Sequence, residues 1–247
     1  MKAAALSILA LATSCAQPPD AAHIQVPCPG AHAELWLVAG QSNVAGTAER
    51  PATIPPGEVV QFHRGRCYLP TMPMLGASTM PTDRPHFNPM VYTAFEYSAR
   101  TGVPVVLSFA AVGGTSIVRW SNMEDLGGEL LDAAQDLSRL GPITRFLWQQ
   151  GETDALADMP AADYEMHLSR VLETVRAAGF GGRVHVARSS RCYEVAWENP
   201  VGRVQERYGG PDTDVLGLEY RHDKCHFNAE GVVRASAIWN DNMRRGG

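Results

Sequence analysis

Glu34-Leu35-Trp36-Leu37-Val38-Ala39-Gly40, followed at once by Gln41-Ser42-Asn43-Val44, is the stretch from which the fold is read. A short, mostly apolar run that ends at a glycine predicts a buried strand. Its apolar residues are continuous rather than alternating, which is the pattern of a strand covered on both faces. Runs of the same kind at Val59 to His63, Val103 to Ala111, Ile143 to Gln149 and Arg183 to Arg188 predict five parallel strands in all. Helical spacing occupies the intervals: Tyr92 to Arg100, Leu126 to Leu140, Ala162 to Ala178 and Ala229 to Arg244. Alternation of strand and helix predicts an α/β sandwich with helices on both faces, and ligands then bind beyond the carboxyl ends of the strands.

Outward from that core, the chain of 247 residues is long enough for one sizeable domain, assigned to 31–247, with no internal repeat. The formal net charge is -5 and basic residues are scattered, so no basic block follows a phosphate backbone and nucleic acid is not an expected partner. Residues 1–16 read as a signal peptide: a basic start at Lys2, then an apolar stretch too short to span a bilayer. Ala12-Thr13-Ser14-Cys15 resembles a bacterial lipobox, which would anchor Cys15 to lipid; cleavage after Ala16 with free secretion fits as well. Either form is exported, to the periplasm, the medium or the envelope surface. Residues 17–30 read as a Pro-rich linker, and 50–89, apart from the strand near Val59, as long loops over the site. Setting Cys15 aside leaves Cys28, Cys67, Cys192 and Cys225, an even number in an exported chain. Three pairings are possible; Cys28 with Cys67 and Cys192 with Cys225 join neighbouring parts of the chain, and four separate buried thiols are the alternative.

Ser42 falls just past the first strand, where Gly40 permits a tight turn and a helix can open, so a serine there is presented to solvent at the carboxyl edge of the sheet. A plain N-cap serine has the same signature. Near the other end, Asp223 stands three residues ahead of His226 on one loop. A carboxylate so placed can hold an imidazole by one nitrogen and leave the other to take a serine proton. His222, Asp223, Cys225 and His226 could also be read as metal ligands, but four groups of one loop converge poorly on a single ion. Two more segments end predicted strands: Val112-Gly113-Gly114-Thr115-Ser116-Ile117 and Trp148-Gln149-Gln150-Gly151-Glu152-Thr153-Asp154. The Gly113 amide and the Gln150 side chain, with the Ser42 amide, would make three donors to an oxyanion. As plain structure, the glycines are turn formers and Gln150 a buried polar residue holding a loop.

Read together, Gly40-Gln41-Ser42-Asn43, Gly113 to Trp120, Trp148 to Asp154 and Asp223 to Phe227 resemble the SGNH/GDSL hydrolase superfamily, in particular its sialate O-acetylesterase-like branch, which includes acetylxylan esterases of carbohydrate esterase family 6. The resemblance covers roughly Glu34 to Arg244. It implies a flavodoxin-like three-layer α/β/α sandwich and hydrolysis of acetyl esters on sugars, with no metal or organic cofactor. It also implies Ser42 as nucleophile, Asp223 and His226 as the rest of a triad, and Ser42, Gly113 and Gln150 as the oxyanion hole. Asn43, Gly114 and Glu152 would support them. Gln150 stands where the wider superfamily has Asn. Trp120 can stack on a sugar or cover the core edge. The alternatives are a lipase or thioesterase of the same superfamily and a non-catalytic carbohydrate-binding relative.

Overall fold

The computed structural model describes residues 23–79 and 87–245, so the predicted leader and Cys15 lie outside the described residues. In chain order the strands are β1 (Gln25–Val26), β2 (Glu34–Gly40), β3 (Val59–His63), β4 (Arg66–Tyr68), β5 (Ala77–Ser78), β6 (Val105–Val112), β7 (Arg145–Gln149) and β8 (Arg183–Val186). The helices are α1 (Ser42–Ala45), α2 (Pro89–Thr101), α3 (Ile117–Trp120), α4 (Leu126–Ser138), α5 (Glu152–Leu156), α6 (Ala161–Ala177), α7 (Pro200–Glu206) and α8 (Ala229–Arg245). The eight strands form one sheet in the order β1-β4-β3-β6-β2-β7-β8, with β5 paired to β6.

The five predicted strands are present, and each pairs in parallel with its neighbour. Three short strands were not anticipated. β1 lies inside the supposed linker and pairs antiparallel with β4, while β4 and β5 lie inside the segment read as loops. Cys28 bonds to Cys67 beside the β1–β4 pair, so the described part of the linker is fastened to the domain. Cys192 bonds to Cys225, which completes the favoured pairing.

Alternate residues of each strand face opposite layers. Leu35, Leu37 and Ala39 of β2 pack with α3, α4, α6 and α7, whereas Trp36 and Val38 pack with α1, α2 and α8. The three-layer sandwich follows from this double burial. Each fully buried Leu, Val or Phe contributes about 1.5–3 kcal/mol. Where helices start, the chain supplies caps: Asn88 accepts from the Met90 amide ahead of α2, and Asn199 from the Gly202 amide ahead of α7, each with Pro as the first helical residue.

Numbered in chain order, the five parallel strands run 2-3-1-4-5, so the first and third are exchanged relative to the flavodoxin order 2-1-3-4-5. The consequence for a ligand is unchanged. From β2 the chain leaves toward β3, which lies beyond β6 on one side, and from β7, which flanks β2 on the other side, it leaves toward β8 in the opposite direction. Loops that diverge this way open a crevice at the carboxyl ends of β2 and β7.

Candidate active site

At that crevice Gly40 has φ +145°, and a Cβ there would lie 1.9 Å from the Gln149 carbonyl oxygen, so only glycine lets β2 turn against β7. α1 opens immediately, with Ser42 its first residue. One expectation is corrected here: Ser42 is not open to solvent but only 4% exposed, because every residue of α1 is buried.

Asp223 and His226 form the second part of the site. The Asp223 Oδ2 accepts from His226 Nδ1 at 2.6 Å, and its Oδ1 accepts from the His226 and Cys225 amides at 2.7 and 2.9 Å. Burial raises the Asp223 carboxyl, but these hydrogen bonds and the imidazole outweigh it and hold the group well below the usual carboxylate range. With Nδ1–H donated to a carboxylate, the His226 Nε2 is left as the acceptor, which is the form a general base requires.

Hydrogen bonds stitch the Ser42 segment to the His226 loop. Asn43 Nδ2 donates to the Cys225 carbonyl at 3.4 Å and Asn43 Oδ1 accepts from the Phe227 amide at 3.3 Å, so one side chain grips both neighbours of His226. His222 Nε2 donates to the Thr47 carbonyl at 3.1 Å, and the Glu49 amide donates to the Phe227 carbonyl at 3.0 Å. Asn43 is itself fixed by Glu152, whose Oε1 accepts from Asn43 Nδ2 and from Ser189 Oγ, both at 2.9 Å. Burial pushes the Glu152 carboxyl up, only partly countered by the Asn43 and Ser189 hydrogen bonds and by Arg221.

Arg221 had no place in the sequence reading. Its Nη1 donates to the Cys225 carbonyl at 2.5 Å and its guanidinium lies over the Phe227 ring, 4.7 Å from the centroid, so it braces the residues on either side of His226. Burial lowers its pKa, opposed by the Asp214 and Glu152 carboxylates. An arginine one residue ahead of His222 carries no local signal of this role.

The remaining candidates split. Gly113 and Gly114 follow β6 at the same edge, but the Gly113 amide donates to the Ser78 carbonyl at 2.8 Å as part of the β5–β6 pairing. Gly114, at φ +67°, donates its amide to no acceptor among the described residues. Gln150 is fully buried; its Nε2 donates to Asp154 Oδ2 at 2.5 Å, to the Thr115 carbonyl at 2.9 Å and to Gln41 Oε1 at 3.1 Å. Its amide therefore holds the ends of β2 and β7 and the turn after β6 together. Asp154 also accepts from Ser116 Oγ and the Ile117 amide, capping α3. Trp120 is 0% exposed, donates to Thr115 Oγ1 and packs edge-on against Trp148, so it covers the core and offers no sugar platform.

A metal reading of the loop loses Cys225, which is in a disulfide. His222, Asp223 and His226 keep ligand atoms within 4.8 Å of one another, and of these groups Asp223 Oδ2 and His226 Nδ1 are engaged with each other.

Residues 32–245 match the model of a family described as carbohydrate esterase, sialic acid-specific acetylesterase. A comparison with curated proteins returns no match. Among solved structures, the chain is similar to a protein from Arabidopsis thaliana, with TM-score 0.67 and 17% identity over 85% of this chain and 98% of that one. It is also similar to a carbohydrate acetylesterase from Xanthomonas citri, with TM-score 0.57 and 16% identity over 86% of this chain and 57% of that one. A third similar structure is an acetyl xylan esterase from Geobacillus stearothermophilus, with TM-score 0.51 and 14% identity over 86% and 93%. At these identities the structural likeness is one of fold.

Proposed function

The chain belongs to the carbohydrate esterase family of sialic acid-specific acetylesterases, and from that premise we propose that Ser42 is its nucleophile, His226 its general base and Asp223 the group that orients the base. The enzyme is a carboxylic ester hydrolase acting on O-acetyl groups of carbohydrates. The observation that carries the residue assignment is the grip of Asn43, the residue next to Ser42, on both backbone neighbours of a histidine whose Nδ1 is bonded to a carboxylate.

In this reading the Ser42 hydroxyl attacks the acetyl carbonyl while His226 Nε2 takes its proton. The amides of Ser42 and Gly114, neither donating to a protein acceptor among the described residues, receive the negative oxygen of the tetrahedral intermediate. Gln150 sets their spacing through its bonds to Gln41 and the Thr115 carbonyl. The carbon–oxygen bond to the sugar breaks, and the sugar alkoxide leaves with the proton from His226. Water then attacks the acetyl-serine by the same route and acetate is released.

The reading includes export through the leader at residues 1–16, supported by two disulfides, which persist in oxidising compartments. No helix among the described residues is long and apolar enough to cross a membrane.

The test is acetate release by the purified protein and its Ser42→Ala variant from acetylxylan, O-acetylated sialic acid and p-nitrophenyl esters of increasing chain length. Release should fall with acyl length and drop by several orders of magnitude, about 10⁴-fold or more, in the variant. Substantial turnover by Ser42→Ala would remove the nucleophile assignment, and no release from any ester would favour a non-catalytic carbohydrate-binding protein.

A further inference from the structure

Beyond the reacting residues, two cavities merit comparison. The larger, of about 1070 Å³, runs between the β3–β5 edge and α4, and none of the residues assigned to the reaction lines it. The smaller, of about 490 Å³, lies between the end of α5, with Leu156 and Asp158, and the loop after β8, with Tyr193, Glu194, Val195 and Glu198. Its size is within the roughly 300–1,000 Å³ of small-molecule sites.

Both walls of this groove are continuous with the catalytic machinery. α5 begins at Glu152, which fixes Asn43. The opposite wall is bound to the loop that carries Asp223 and His226: the Tyr193 amide donates to the Lys224 carbonyl at 2.9 Å, and the neighbouring Cys192 is in a disulfide with Cys225. Tyr193 is held on this double attachment at φ +53° and is 47% exposed, and Leu156 across the groove is 48% exposed. An exposed aromatic ring on a rigid backbone beside an ester-cleaving centre is suited to the apolar face of a sugar ring.

The charge of the lining narrows the sugar. Asp158, Glu194 and Glu198 line the groove, and no Lys or Arg does; the cations beside it, Lys224 at 3.9 Å from Glu194 and the buried Arg188 at 3.9 Å from Glu198, stand behind those carboxylates, and Arg188 is shared with Glu206 and Asp212. Carboxylates accept hydrogen bonds from sugar hydroxyls and repel a sugar carboxylate. Asn199 brings no further donor, because its amide is spent on Ser190 Oγ and the Ala196 carbonyl.

We propose that this groove is a glycan subsite which seats an uncharged sugar unit adjoining the acetylated one, with Tyr193 as its stacking face, so that the natural substrate is an acetylated neutral glycan rather than an O-acetylated sialic acid. The proposal rests on the esterase reading of Ser42 and His226, and its test separates the two. p-Nitrophenyl acetate has no sugar and reports the chemistry alone; an acetylated neutral xylo-oligosaccharide and an O-acetylated sialoside report the subsite.

In Tyr193→Ala, KM for the xylo-oligosaccharide should rise about tenfold, with turnover of p-nitrophenyl acetate unchanged, and Tyr193→Phe should restore the KM. The double variant Asp158→Asn, Glu194→Gln should improve kcat/KM for the sialoside several-fold relative to the neutral substrate. An unchanged KM in Tyr193→Ala, an equal loss on p-nitrophenyl acetate, or a wild-type preference for the sialoside would each overturn the proposal. Absence of Ser42-dependent turnover of p-nitrophenyl acetate would instead overturn the esterase reading beneath it.

Discussion

Asp223 gathers three hydrogen bonds, from one ring and two backbone amides, and all three favour its ionised form. Its depressed pKa means that it is a carboxylate throughout the range in which a histidine changes charge. Any loss of activity on acidification to the ordinary carboxylate range therefore reflects protonation elsewhere than Asp223. Asp223→Asn keeps the size but offers a donor to Nδ1, so the imidazole is held in the wrong tautomer. Turnover of p-nitrophenyl acetate should fall by about 10³–10⁴ with the circular dichroism spectrum unchanged. A loss of only about twofold would mean that another carboxylate orients the ring. The pairing of Asp223 with His226 and the place of Ser42 at the end of β2 were legible in the sequence because each sits where a local signal stands: a short loop before a helix, or a glycine after a strand. Arg221 was not, nor the role of Asn43, because what they touch lies far along the chain. Asn43 meets Glu152 across 109 residues and Phe227 across 184, and no periodicity or cap records such a contact.

Long elements were legible, whereas strands of two or three residues and the short helices α3, α5 and α7 were not. Long strands and helices repeat their pattern often enough to be read, so β2, β6, α4, α6 and α8 lie close to their expected bounds. β1, β4 and β5 are too short for alternation to show, and exist because longer neighbours offer them an edge. The two disulfides act at this same scale and separate stability from function. They span similar lengths of chain, 39 and 33 residues, so loop-closure entropy assigns them similar contributions, about 2–5 kcal/mol each. Their surroundings differ. Cys28–Cys67 fastens β1 and β4 at the sheet edge, whereas Cys192–Cys225 joins the Tyr193 loop to the residue just ahead of His226. Replacing either pair by alanine should lower Tm by a comparable amount. Only the Cys192→Ala, Cys225→Ala protein should also lose kcat on p-nitrophenyl acetate when assayed well below its Tm. Equal kcat in the two variants would show that hydrogen bonds alone hold the catalytic loop.

For the whole molecule, the groups that assemble the site are also a burden on stability, and pH exposes it. The three central strands bring their carboxyl ends together, and the polar groups needed there are closed in by the layers on either side. Glu152 is the clearest instance, a buried carboxyl whose Oε2 has no partner among the described residues. Burial raises its pKa above the ordinary 4.5, so between 4.5 and that raised value the folded protein binds a proton that the unfolded chain does not. Stability from this group therefore increases as pH falls from neutral toward 4.5. His185 works in the other direction: burial lowers its pKa below 6.5, so acidification through that value favours the unfolded chain. Glu34, held low by Arg145, Tyr97 and Trp36 despite its burial, adds a loss that sets in only below 4.5. A simple stability profile sums these opposed terms, but comparison with Glu152→Gln cancels all but one. The substitution keeps an acceptor for Asn43 and Ser189 and removes the titrating group. Urea unfolding at pH 7 and pH 5 should show wild type gaining stability on Glu152→Gln at the lower pH. A difference independent of pH would mean that Glu152 is charged in the fold at both values, held so by Arg221, and that the two form a standing buried ion pair behind the catalytic loop.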